Sequence, residues 1–300
     1  MNRSRLRVAA FACVYLFWSG TYPAIRFLVR SVPPFLLSGM RYLAAGLVLL
    51  SLARLRGVAF PNRRQFLGGA ALGLSFLVLC NGVATWGLQY IGAGKATLMT
   101  ACIPLVAVAY GWAFQGRKVG KAEALCLAVG LAGVVVLVGP GGNTGAHWQW
   151  GLAAIAWVVV VWALAMSESG RFPQVEDGMM AAGVQMLCGG GVLLFLSAGA
   201  EHPFTFGYAS LSWQSWAAWA YLVFLGACLG YVSFNWLIRN EAPQLVGTYA
   251  FVNPVLAVVL GWAFLGEPIG WNTFTAAVLI VGSVAGSLWI SPPKEEASAY

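Results

Sequence analysis

Polar side chains able to meet a small molecule recur in this chain four residues apart, the spacing that stacks them on one face of a helix. Asn81, Thr85 and Gln89 form one such face; Tyr231 with Asn235, Tyr249 with Asn253, and Trp18 with Tyr22 form three more. Gln185 and Trp162 stand singly in other apolar runs. These types do recognition rather than bond making. Neutral amides and hydroxyls orient a polar head group, and aromatic rings cover an apolar body. Polar groups are costly inside a membrane and are functional candidates there by default. Two readings stand side by side: the faces line one substrate cavity, or they form interhelical hydrogen bonds of about 0.6 to 2 kcal/mol each.

Groups for catalysis are missing. The two histidines, His147 and His202, fall in loops with no Ser or Asp constellation, the acidic residues mostly flank apolar runs, and no phosphate-binding loop occurs. The six cysteines, Cys13, Cys80, Cys102, Cys126, Cys188 and Cys228, all lie in apolar runs without a CxxC pair or a nearby histidine. Packing is their expected role, and neither a metal nor a cofactor is expected. The residues therefore predict a protein that binds and moves a molecule. A channel using the same cavity is the alternative, but rings of charge are absent.

The elements that must position these residues follow from composition. Hydrophobic residues make up 60% of the 300 and charged ones 9%, whereas a soluble domain carries about 25% charged residues. A helix needs about 20 largely apolar residues to cross a bilayer. Hydropathy, with Arg, Pro and Gly as punctuation, divides the chain into ten such runs, near 7–29, 34–54, 66–90, 95–115, 121–138, 150–167, 178–198, 213–238, 243–265 and 271–290. They are too long for strands and lack period-two alternation, so lipid leaves only helices. The fold predicted is an all-α integral membrane protein of ten transmembrane helices.

The net charge of +8 marks a membrane side rather than a nucleic-acid partner. Arg3, Arg5, Arg7, Arg54, Arg56, Arg63, Arg64, Arg117, Lys118, Lys121, Arg171, Arg239 and Lys294 fall on the side shared by both termini; Arg26, Arg30, Arg41 and Lys95 lie in or beside the other loops. The positive-inside rule then places both termini in the cytoplasm. The basic start and apolar run imitate a secretory signal, but no small-residue cleavage site follows, and the run is expected to stay as the first span.

The spans repeat. Ile103–Gly120, IPLVAVAYGWAFQGRKVG, returns without a gap as Asn253–Gly270, NPVLAVVLGWAFLGEPIG, and the register also pairs Asn81 with Tyr231, Thr85 with Asn235 and Trp86 with Trp236. A second match pairs Trp18 with Trp162. Residues 1–140 and 141–300 are thus read as two five-helix repeats. An odd number of spans per repeat inverts the second relative to the first, an architecture used for alternating access. Pro104 and Pro254, at corresponding positions, each remove a backbone hydrogen bond and are expected hinges or kinks. Gly69 with Gly73 and Gly282 with Gly286 are expected packing contacts, and Trp112 and Trp262 interfacial anchors.

These residues also carry a resemblance. The Trp-bearing first helix (Phe17-Trp18-Ser19-Gly20), Arg41 in the second, and the duplicated blocks ending at Gly116 and at Gly266-Glu267 resemble the drug/metabolite transporter superfamily, its EamA branch. Arg117 stands where that family often has Glu; Glu267 keeps it and is read as an anion in the first turn of the tenth helix. The resemblance implies an exporter of amino acids in the bacterial inner membrane, with the bilayer and a small-molecule substrate as partners. A drug or cationic-metabolite exporter is the rival within the superfamily. No Asp, Glu or His is expected at mid-membrane, which favours transport down the substrate's own gradient, and the protein is compatible with a monomer.

The topology is directly testable: reporter fusions after Gly145 and Ala200 should be active only outside the cytoplasm. A cytoplasmic signal at Gly145 breaks the five-plus-five division.

Overall fold

In the computed structural model, residues 3–116, 118–139, 147–201, 203, 206–208, 211–241, 246 and 248–290 are described, without the side chains of Asn235, Ile238, Arg239, Phe251 and Leu288. Arg117, Gly145, His202 and Lys294 lie outside the described residues. The described chain is helical with no strand. Eight helical stretches are long and apolar enough to cross a membrane: α1 Arg3–Leu28, α2 Pro34–Leu55, α3 Arg63–Gly87, α4 Ala93–Phe114, α5 Lys121–Val138, α6 Trp148–Arg171, α7 Gly178–Ala200, and α8, whose apolar span is Trp213–Phe234 and whose helix runs on to Asn240. Two more, α9 Tyr249–Leu265 and α10 Trp271–Ile290, carry the shorter apolar stretches. This is the ten-helix membrane protein that hydropathy predicts.

The main packing contacts of one half have counterparts in the other. α1 lies on α8 as α6 lies on α3; α4 meets α6 as α9 meets α1; α3 meets α7 as α8 meets α2. The pairs α2–α7, α5–α10 and α4–α9 are their own counterparts. The α2–α7 seam brings backbones together: a Cβ added to Gly46 would stand 2.9 Å from the Leu187 amide nitrogen, and one on Gly190 2.7 Å from that of Leu43. Close approach through small residues is how helices associate where lipid supplies no hydrophobic drive. Gly69 and Gly73 face Val184 and the Gln185 carbonyl in the same way, and Gly286 meets Cys126 Sγ. Gly282, by contrast, faces open space; the glycines that seat α5 on α10 are Gly130 and Gly133, against Ser283 and Ile280.

Helix termini are closed by specific side chains. Asn62 and Gln65 form a reciprocal capping box at the start of α3, and Asp177 accepts from the Met180 amide at the start of α7. The duplicated glycines Gly116 and Gly266 are both left-handed, with φ of 68° and 67°, and each ends its helix where a side chain would be strained. Glu267 follows directly, and here the structure corrects the sequence-based expectation. It is not part of α10, which begins at Trp271. Its carboxylate instead accepts from the Ala93 and Gly94 amides, at 2.7 and 3.0 Å, and caps α4. The physics expected of the anion holds, because orphan N–H groups and the helix dipole both favour negative charge, but the helix it serves comes from tertiary contact. Glu201, at the end of α7, does the same for α2 through the Phe35 and Leu36 amides, both at 2.8 Å.

Replacing Glu267 by Ala removes two charge-assisted bonds from the start of α4 and should lower stability by about 0.5–2 kcal/mol. Thermal unfolding of the purified protein in detergent measures it, and an unchanged Tm contradicts the cap.

Candidate substrate cavity

Four interruptions of regular helix surround one internal space. α1 turns at Gly20, between Arg3–Ser19 and Thr21–Leu28. α4 breaks between Ala93–Thr100 and Ile103–Phe114. α3 and α8 each widen to a π-helix, over Leu74–Gly82 and Tyr221–Leu229. π-Segments shift the carbonyl ladder by one residue and occur often at functional sites. Side chains take up several carbonyls of these segments: Trp18 Nε1 donates to Gly226 O at 3.1 Å, Trp157 Nε1 to Leu79 O at 3.0 Å, and Asn81 Nδ2 to Phe76 O at 2.8 Å.

The cavity measures about 190 Å³, room for a small organic molecule, since one water needs ~10–15 Å³ by this measure. Eight helices contribute to its wall, all but α5 and α10. Trp18, Tyr22, Asn81, Trp162, Tyr231, Tyr249 and Asn253 line it, with Pro104 and Pro254. Trp18 packs on Phe234 and Tyr249 with centroids 4.9 and 5.7 Å apart, and Trp162 meets Phe76 edge-on at 5.0 Å. Pairs of this geometry contribute about 0.5–1.5 kcal/mol beyond area burial. Gln185 stands behind the wall and accepts from the Tyr231 hydroxyl at 2.9 Å.

Other candidates from the sequence lie elsewhere. Thr85 is fully buried outside the wall; its hydroxyl donates to Asn81 O at 2.8 Å and lies 2.9 Å from that of Ser38. Gln89 sits past the end of α3 and bonds its own chain at Trp86 O. The four-residue spacing is met over Asn81 and Thr85, but the π-segment ends at Gly82 and α3 itself at Gly87, so one face cannot stay in the cavity over three turns. The Asn235 side chain lies outside the described residues. The prolines also differ from each other. Pro104 falls in the first turn of Ile103–Phe114, where its missing N–H leaves no bond broken, whereas Pro254 is interior to α9.

Sequence-based candidates did not include Arg41. It is 4% exposed, lines the cavity, and is the one charged side chain among the described lining residues. Its isolation in an apolar span was the available signal.

The EamA-like transporter family model matches residues 6–139 and again 149–289. The chain belongs to the EamA-like transporter family. It is 36% identical to the uncharacterized inner membrane transporter YedA of Escherichia coli strain K12, over 95% of this chain and 92% of that protein. It is 26% identical to the aromatic amino acid exporter YddG of Ancylobacter novellus, over 96% and 99%. A "Probable terminal-alkyne amino-acid exporter" of Streptantibioticus cattleyicolor is 25% identical over 87% and 86%. A solved crystal structure superposes with a TM-score of 0.64 at 21% identity, over 96% of this chain and 98% of its own, a likeness of fold. As an EamA protein the chain is a multi-pass membrane transporter, and its cavity is the space that the helix interruptions and aromatic pairs border.

Two substitutions separate lining from scaffolding in this EamA protein. Asn81→Ala should weaken substrate binding several-fold. Thr85→Val should leave affinity within about twofold and lower stability by about 1–3 kcal/mol, because the Ser38 hydroxyl loses a buried partner. Binding and unfolding measured on the same preparations check both, and the reverse pattern would move the wall.

Proposed function

We propose that this transporter exports amino acids, leaning to aromatic and hydrophobic side chains, from the cytoplasm across the bacterial inner membrane. The observation that carries the reading is the cavity wall itself, in which aromatic rings and neutral amides and hydroxyls surround a single cation. An apolar side chain packs on Trp18, Trp162 and Tyr249, and a zwitterionic head finds acceptors and donors in Asn81, Asn253 and the hydroxyls. The relatives named as amino-acid exporters support this class. The mechanism proposed is alternating access of residues 1–140 and 141–300 around the cavity, with both termini cytoplasmic.

A cationic-metabolite exporter is disfavoured by the same wall, where a cation would meet Arg41 and, among the described lining residues, no carboxylate. The described lining also holds no Asp, Glu or His to carry a coupled proton. Transport is therefore proposed to run down the substrate's gradient.

Proteoliposomes loaded with unlabelled phenylalanine should take up labelled phenylalanine in exchange, with no accumulation driven by an imposed pH gradient. Cells overproducing the protein should tolerate toxic amino-acid analogues. Uptake of quaternary cations without amino acids sinks the assignment.

A further inference from the structure

Arg41 is held in an electrostatic state that the protein alone leaves incomplete. One terminal nitrogen, Nη2, donates to the Tyr42 hydroxyl and approaches Asn81 Oδ1 at 3.4 Å, and the guanidinium lies 4.3 Å from the centre of the Tyr42 ring. Nε is buried with no hydrogen-bond partner. None of the described carboxylates lines the cavity: Glu168 pairs with Arg171 and Tyr110, Glu241 with Arg7, and Glu201, Glu267 and Asp177 lie at helix starts. A buried cation without a counter-charge is costly, and a buried donor without an acceptor adds to that cost. Both are relieved by one event, the arrival of an anion in the cavity.

Resting on the reading of this cavity as the substrate site, we propose that Arg41 is the receptor for the substrate's carboxylate, and that the site selects apolar monocarboxylates with or without an α-ammonium group. A guanidinium presents planar donors that match a carboxylate. The single positive charge balances a monoanion, whereas a phosphate ester, with nearly two negative charges, would need a second cation that the described lining lacks. Nor does that lining hold a carboxylate for an ammonium. Neutral oxygens of Asn253 and the wall hydroxyls can accept from it without requiring it. Amino acids are then one member of a class that also includes their 2-oxo and des-amino counterparts.

Tryptophan-fluorescence titration of the purified protein in detergent tests this with four probes sharing one ring: phenylalanine, 3-phenylpropanoate, phenylalanine methyl ester and phenethylamine. The two carboxylates should bind, with 3-phenylpropanoate at least as tight as phenylalanine, and the ester and amine should bind at least roughly tenfold more weakly. Arg41→Gln should remove that discrimination by weakening the carboxylates roughly tenfold, and Arg41→Lys should retain part of it. If Arg41→Gln does not fold, the ligand series on the unaltered protein decides alone. Equal binding of acid and ester, or an Arg41→Gln variant with unchanged affinity for phenylalanine, overturns the role of Arg41 and leaves amino-acid export standing. Binding of 3-phenylpropanoate but not phenylalanine does the opposite. If none of the four binds, the cavity is not their site and both readings fall.

Discussion

A backbone amide inside a bilayer must find its partner within the protein, because lipid offers none. Regular helices satisfy this automatically, but a bundle of regular helices packs closed. A space for substrate requires helices that bend or widen, and every bend frees polar groups. The structure meets that constraint with side chains. The Trp18 and Trp157 indoles and the Asn81 amide occupy carbonyls in the two π-segments, and Tyr221 donates to Phe17 O beside the turn in α1 at 2.7 Å. Two of these, Trp18 and Asn81, also line the cavity, so residues that shape it help keep its irregular backbone tolerable.

Close-packed seams and helix interruptions fall on different helices. α2 with α7 and α5 with α10 are seams closed through glycine, with backbones too near for a side chain. Close-packed seams of this sort behave as rigid units. α1, α3, α4 and α8 carry the interruptions and contact the cavity.

The Glu267 cap shows how one local rule gains global reach. The carboxylate leaves the end of α9 and closes the start of α4, so two helices far apart in sequence end on a shared charge. Glu201 joins α7 to α2 in the same way. In each case the dipole of one helix is answered by a residue just past the end of another.

Much of the architecture was legible in the sequence because hydropathy in lipid is a strong code: only helices survive there, and runs of about 20 apolar residues count them. The aromatic and amide positions Trp18, Tyr22, Asn81, Trp162, Tyr249 and Asn253 were legible as polar or large groups within those runs. Periodicity could not separate them from Thr85, whose hydroxyl faces Ser38 instead, since a π-turn changes the rotation per residue without leaving a sequence mark. Glu267 was recognisable as a helix-start anion, but only the fold decides which helix start lies within reach. Arg41 is the clearest division between the two levels. Sequence alone shows one charge in an apolar span. Tertiary structure shows that it faces a cavity in which, among the described lining residues, no carboxylate stands, because pairing depends on which side chains the other helices bring within a few ångströms.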